Sequence, residues 1–194
     1  MSSVAELVLA LAARSRDVDG RSFVIALDGH SAAGKSTLGG KLTKEMKAAV
    51  IAVDDFYRDE PEDVRLSYDA ALGVRRYFDW ERMVREAILP LRAGVAARYR
   101  PFDWQAGHGL GDVVTIEPAS VVIVEGVYSA RPELRPLLDI AVLVQAPANG
   151  RLRRQRERHD AHEWEARWDR AERLYFTTVS PPDSFDFVVS GIEQ

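Results

Sequence analysis

The chain has 194 residues, 46% of them hydrophobic and 29% charged, with 30 acidic against 26 basic side chains and a formal net charge of -4. That length is enough for one domain with a sizeable core. The balance gives no sign of disorder or of a membrane-embedded fold, and an acidic whole speaks against a surface that tracks nucleic-acid backbone. The absence of cysteine removes disulfides, thiolate zinc sites and cysteine nucleophiles, and it suits a cytoplasmic protein.

The first apolar stretch, VAELVLALAA, is too short to span a bilayer, contains Glu6 and lacks the basic segment of a signal peptide. Val4, Leu7, Val8 and Leu11 fall on one helical face, and Ser3 with Glu6 has the spacing of a capping box. Four short β-branched runs follow: FVIALD (Phe23 to Asp28), VIAVD (Val50 to Asp54), VVIVEG (Val121 to Gly126) and IAVLVQ (Ile140 to Gln145). They are nearly continuous in apolar residues and separated by helical-length segments, the pattern of parallel strands buried on both faces. FDFVVS (Phe185 to Ser190) adds a further strand. The alternation predicts a three-layer α/β domain with a central parallel sheet and helices on both faces, binding ligands beyond the carboxyl ends of its strands. No repeat, low-complexity tract or long linker divides the chain, so residues 1–194 are expected to form one domain.

Between the second and third of these runs the pattern changes. A polar acidic loop leads to a helix from about Trp80 to Ala93, with Met83, Ala87 and Leu91 on one face and Pro90 working against its last turn. ARYRPFD and DVVTIEP then read as a hairpin. This insert, residues 56–118, is the natural place for substrate recognition.

The strongest local signal is GHSAAGKST, which satisfies G-x-x-x-x-G-K-[ST] directly after a strand and before a helix carrying Leu38, Leu42 and Met46. The run Gly29, His30, Ser31, Ala32, Ala33, Gly34, Lys35, Ser36, Thr37 is therefore the expected phosphate cradle. Its small residues let the backbone curl so that successive N–H groups converge on phosphate oxygens. Lys35 is expected to reach the terminal phosphates of ATP, the Ser36 hydroxyl to ligate Mg²⁺ and Thr37 to add a second hydroxyl, while His30 contributes its backbone only.

Asp54 and Asp55 end the second strand, facing the same crevice, and one of them is placed to accept the proton of an attacking hydroxyl, a role worth roughly 10²- to 10⁴-fold. The plainer alternative is that the pair caps a loop or holds magnesium through water. Glu125 closes its strand in the same way and is read as a second metal-side group. After Pro147, Arg151, Arg154 and Arg158 share one helical face that can close over phosphates; a solvated helix with an Arg153–Glu157 pair is the alternative. His159 and His162 lack a third ligand for a metal, Trp164 and Trp168 read as a packing face, and Trp80 and Trp104 flank the candidate substrate segments.

In this order, DGHSAAGKST, VDDFYR, YFDWERM, PFDW, VVIVEGVYS, RLRRQRERH and FDFVVSG resemble the uridine kinase-like branch of P-loop kinases, which includes nicotinamide riboside kinase, phosphoribulokinase and pantothenate kinase relatives. The likeness runs from Phe23 to Gly191. It implies a β-hairpin substrate insert, a helical lid over residues 147–165, and transfer of the γ-phosphoryl group of ATP to a hydroxyl of a small, nucleoside-like acceptor with Mg²⁺. It further implies Asp54 as general base with Tyr57 in the same motif, Asp79 on ribose hydroxyls, Phe102 and His108 near the base, and Arg154 and Arg158 as lid arginines. The chain departs from uridine kinases at Phe102, which replaces a Tyr, at Asp55, which replaces a Ser as in the nicotinamide riboside type, and in lacking Arg-Gly-Arg after the lid. Gluconate-, shikimate- and pantothenate-type acceptors therefore stay open. A nucleotide-dependent switch finds no N-K-x-D or D-x-x-G element to support it; no nucleic-acid or membrane partner is expected, and self-association is left open.

Overall fold

A computed structural model describes residues 4–15, 20–158 and 163–191 of the chain. Five parallel strands form the central sheet in the order β2-β5-β1-β6-β7: β1 Phe23–Asp28, β2 Ala49–Ala52, β5 Val121–Glu125, β6 Ile140–Gln145 and β7 Phe187–Ser190. A separate antiparallel pair, β3 Ala97–Tyr99 and β4 Val114–Ile116, is the expected hairpin. In the sheet Ile25 lies level with Ile123 on one side and Ile140 on the other, so β1 is flanked on both edges. The chain leaves β1 for β2 on one side and later reaches β6 and β7 on the other, so the strand order switches beside β1. The crevice beyond that strand's carboxyl end is where ligands of such sheets bind.

Alternation along the strands feeds two cores. Phe23, Ile25, Leu27, Ile123 and Val142 point to helices α1 (Val4–Ser15) and α2 (Lys35–Met46), meeting Leu7, Leu11, Leu38 and Leu42. Val24, Ala26, Val122, Val124 and Leu143 point the other way, toward the insert and helix α8 (Glu163–Leu174). Each face removes apolar surface from water, at about 25 cal/mol per Å². Ser3, the expected partner of Glu6 at the start of α1, lies outside the described residues.

The insert contains short helices α3 (Glu62–Leu66) and α4 (Ala70–Arg76), then a longer helical run made of α5 (Trp80–Met83), a π-helical turn at Val84–Ile88 and α6 (Leu89–Arg92). Met83, Ala87 and Leu91 are buried as the spacing predicts. The wide turn lies just before Pro90, whose missing N–H and ring would otherwise conflict with the preceding turn, so the run bends its ladder rather than stopping.

Two strand boundaries differ from expectation. β2 stops at Ala52, because Val53–Phe56 forms a 3₁₀ turn in place of further strand. β7 begins only at Phe187: Asp186 turns its carboxylate back to the Ala141 N–H at 2.7 Å and to Arg135 at 2.7 Å, and Phe185 drops into the core. The segment expected as one lid comprises helix α7 (Ala148–Arg158) and the start of α8; His159 and His162, between them, lie outside the described residues. None of the described helices is long and apolar enough to cross a membrane.

Candidate active site

The loop from β1 to α2 curls because its backbone visits left-handed space. Gly29 has φ 146°, Gly34 φ 97° and even Ala32 φ 58°. At Gly29 a Cβ would fall 2.2 Å from the Val144 carbonyl oxygen, so only glycine fits. Gly34 precedes α2 without a side-chain cap, which leaves the first amides of that helix for an anion. Lys35 is 7% exposed, its ammonium donating to the Gly29 and His30 carbonyls at 2.9 and 3.0 Å. Ser36 is exposed and Thr37 half-buried on the turn that follows.

Beneath the loop lies Asp28, fully buried, a residue the spacing of the motif does not flag. One carboxylate oxygen accepts the N–H of Gly29 (2.7 Å) and Tyr128 (2.9 Å), the other the N–H of Ala130 (2.9 Å) and the hydroxyl of Tyr175 (2.8 Å). Burial pushes this carboxyl up to about 6 against the pull of those donors and of Lys35. Asp28 thus ties the loop to the turn after β5 and to the end of α8. The available signal was a charge ending a wholly buried strand, which is costly unless fully hydrogen-bonded.

The 3₁₀ turn sends Asp54 and Asp55 apart. Asp55 accepts the Tyr99 hydroxyl at 2.7 Å. Asp54 faces the cleft with surface open to solvent, and among the described residues its carboxylate accepts no hydrogen bond. Glu125, half-buried at the end of β5, stands 3.3 Å from the Ser36 hydroxyl. Burial pushes the Asp54 and Glu125 carboxyls up and the Lys35 charge opposes it in both; Asp55 and Glu172 raise Asp54 further, and Asp54 raises Glu125. Among the described residues no set of three or more His, Asp or Glu side chains forms a metal cage. The Ser36 and Glu125 oxygens are hard donors of the kind Mg²⁺ takes together with phosphates, so the residues present fit that ion bound with a nucleotide.

Beside Asp54 stands an aromatic wall. The Tyr57 ring lies 5.2 Å from Phe102, 5.6 Å from Phe78 and 4.9 Å from Trp104, and Trp104 Nε1 donates to the Asp54 carbonyl at 3.2 Å. Burial pushes the Tyr57 hydroxyl up to about 12, so it stays neutral. The Phe102 N–H bonds the Asp55 carbonyl at 2.8 Å, pinning the hairpin to the 3₁₀ turn. Asp79, whose N–H bonds the Phe56 carbonyl at 2.8 Å, caps α5 by accepting the Arg82 N–H at 3.1 Å and lies 3.8 Å from Arg58. His108 is exposed in the hairpin loop, and Trp80 sits apart from the wall with Arg131 over its ring at 5.1 Å.

From the lid side, Arg154 Nε donates to the Ala32 carbonyl at 2.9 Å, bringing α7 onto the phosphate loop. Arg151 is half-buried one turn earlier, and the side chain of Arg158 lies outside the described set, as does that of Trp164. His30 contributes more than backbone: its Nδ1 is 3.0 Å from Glu172 Oε2, and its ring packs 4.4 Å from Phe176. Glu172 also accepts the Ser31 N–H at 3.1 Å, the Ser31 hydroxyl and the indole N–H of Trp168, so Trp168 is more than a packing face. Nothing in the spacing of α8, a helix crowded with charges, separates Glu172 from its neighbours.

The profile of the Phosphoribulokinase / Uridine kinase family matches residues 24–163. The chain belongs to that family. Its members are phosphotransferases acting on a hydroxyl, so this protein is a nucleotide-using kinase of a small molecule. A uridine kinase of Halobacterium salinarum is 29% identical over 168 residues, covering 82% of this family member and 72% of its own length. A Silicibacter sp. TM1040 protein provisionally described as a fructose transport system kinase superposes with a TM-score of 0.75 at 21% identity, over 97% of this chain and 99% of its own. A D-glycerate 3-kinase of Cryptococcus neoformans gives 0.60 at 15%, over 91% and 90%. At those identities the two structures bear on the fold alone, which they share with this kinase.

Proposed function

We propose that this kinase transfers the γ-phosphoryl group of ATP to a primary hydroxyl of a nucleoside-like acceptor, with Asp54 taking the hydroxyl proton. The observation that carries it is the division of labour in one turn: Asp55 is engaged by Tyr99, while the exposed Asp54 carboxylate, beside the aromatic wall, accepts no hydrogen bond among the described residues. A base needs that freedom to reach an incoming hydroxyl. Mg²⁺, held by Ser36 and Glu125 with the nucleotide, would neutralise phosphate charge. Lys35 and Arg154 place positive charge around the same loop, and charge dispersal of this kind dominates phosphoryl transfer. Trp104 and the half-buried Tyr57, with Phe102 packed behind them, offer π-faces to a planar base, and Asp79 offers an acceptor for sugar hydroxyls.

A second acceptor class is favoured by Arg65. Its guanidinium lies over the rings of Tyr57 and Phe102, 5.2 and 5.9 Å from their centroids, and pairs with no carboxylate among the described residues. A half-buried cation on the acceptor wall suits a sugar acid as well as a nucleoside. One assay decides both points: Mg-ATP with a panel of nucleosides, ribosides, sugars and sugar acids, the phosphorylated product detected by mass. On the acceptor so found, Asp54→Asn should keep Mg-ATP affinity and lose about a hundredfold or more in kcat. Unchanged turnover would remove Asp54 from the mechanism.

A further inference from the structure

Among the described residues, Glu172 is, with Asp28, one of two enclosed carboxylates beside the phosphate loop that the transfer itself does not use. It is 1% exposed, yet four donors converge on it: the Ser31 N–H, the Ser31 hydroxyl, the Trp168 indole N–H and His30 Nδ1. Burial pushes its carboxyl up, but the hydrogen bonds from His30 and Ser31 and the Lys35 charge together hold it below the ordinary range. Two of those donors, a backbone amide and an indole, can never accept. Oε1 takes the Ser31 N–H, the Ser31 hydroxyl and the indole, while Oε2 takes His30 Nδ1 and a second contact from the Ser31 N–H at 3.2 Å. A neutral amide therefore keeps its oxygen on the first set only by turning its NH₂ toward His30 and that N–H and by giving up the charge that strengthens all of these bonds.

The partners of Glu172 belong to different parts of the site. Ser31 and His30 are the entrance of the phosphate loop, immediately before Ala32, on which Arg154 of α7 rests. Trp168 donates to Ser31 Oγ at 2.9 Å as well, and its ring packs 5.0 Å from Tyr77 and 5.7 Å from Phe78. Tyr77 in turn stacks on Tyr57 of the aromatic wall at 6.4 Å, and Phe78 meets it edge-on at 5.6 Å. A rigid bridge therefore runs from the loop, through one carboxylate and one indole, to the place where the acceptor is expected.

We infer that Glu172 is a positioning residue of the kinase: with Trp168 it clamps the entrance of the phosphate loop to the aromatic wall, setting the loop for nucleotide and coupling it to the acceptor side. The claim rests on the nucleotide-binding part of the function proposed above, and its test needs no acceptor. Mg-ADP affinity is measured by calorimetry for the wild type, Glu172→Gln and Trp168→Phe, with thermal melts to establish folding. In parallel the indole N–H resonances of ¹⁵N-labelled protein are followed, Trp168 being assigned by its loss in Trp168→Phe. Glu172→Gln should weaken Mg-ADP by about tenfold or more, the cost of losing the charge behind these hydrogen bonds and disturbing the contacts at Oε2. Trp168→Phe, which keeps an aromatic ring in the cluster and deletes the donor together with the five-membered ring, should weaken it by about threefold. The wild-type Trp168 resonance should shift on saturation with Mg-ADP, a response that a residue serving packing alone would not give. Folded variants that bind Mg-ADP as the wild type does, tighter binding by Glu172→Gln, or a Trp168 resonance indifferent to the nucleotide would each overturn the inference. If Glu172→Gln does not fold, Trp168→Phe and the wild-type resonance still decide. A wild type that takes up no Mg-ADP would instead overturn the nucleotide reading itself, and this one with it.

Discussion

Tyr128 combines two unfavourable features in one residue. Its φ of 70° lies in the left-handed region, and its hydroxyl is buried with no partner among the described residues. Each is worth about 1–3 kcal/mol, and such costs persist where the surroundings over-determine the residue. The surroundings here are Phe78, Trp168 and Tyr175, whose rings enclose it, and Asp28, which holds its N–H. Tyr128→Phe keeps the ring and removes the orphan, so denaturant titration should find the variant more stable by up to about 2 kcal/mol. Lower stability would mean that the hydroxyl has a partner after all; higher stability with lost turnover would mean that it meets the acceptor. At this scale the sequence was informative where chemistry repeats a spacing, as from Gly29 to Thr37, and silent where it does not. Asp28 and Glu172 are single acids whose importance comes from donors contributed by residues about a hundred or more positions away, Tyr128 and Ser31 among them. His30, Trp168 and Tyr128 likewise acquire their roles only when β1, β5 and α8 meet.

Among the elements, strands and helices with strong periodicity were legible, and their ends were not. β6 occupies Ile140–Gln145 as its apolar run indicates, because both of its faces meet core. β2 ends two residues before its run does, since Val53 and Phe56 bury themselves better in a 3₁₀ turn, and that turn is what aims Asp54 and Asp55 in different directions. The end of β7 carries a further constraint. Gly191 donates its N–H to the Gln145 carbonyl at 2.6 Å, and a Cβ there would stand 1.8 Å from the Ala33 carbonyl oxygen of the phosphate loop. That contact is backbone on backbone, so no side-chain rotation relieves it. Gly191→Ala should therefore displace the loop and weaken Mg-ADP binding, by about tenfold or more, with a stability loss of roughly 1–3 kcal/mol. Calorimetry and a thermal melt check it, and a variant with unaltered nucleotide affinity would contradict the packing described.

For the molecule as a whole, acid stability depends on carboxylates held in opposite directions. At the base of the sheet, burial pushes the Asp139 carboxyl up, but the Arg21 hydrogen bond at 2.7 Å, the Val24 N–H at 2.8 Å and the Arg21 charge together hold it below its ordinary 3.8. Its contribution is present above pH 3.8 and is lost as pH falls through the depressed folded value. Asp28 does the reverse: with a folded value of about 6 against 3.8, it makes the fold less stable as pH rises through that window and changes nothing above it. Asp139→Asn should accordingly melt below the wild type at pH 7, and the gap should close as pH is lowered through about 4 and below. A gap independent of pH would show that the Arg21–Asp139 pair does not set the acid limb. The three-layer architecture behind these effects was readable from four apolar runs, because strands covered on both faces leave little choice of fold. The contact between Gly191 and Ala33 was not, and it has a temporal meaning. The phosphate-binding motif leaves the ribosome about 150 residues ahead of β7, at roughly 5–20 residues per second. For that interval the nascent chain carries the motif without the wall that shapes it, so nucleotide binding is expected to follow the docking of β7.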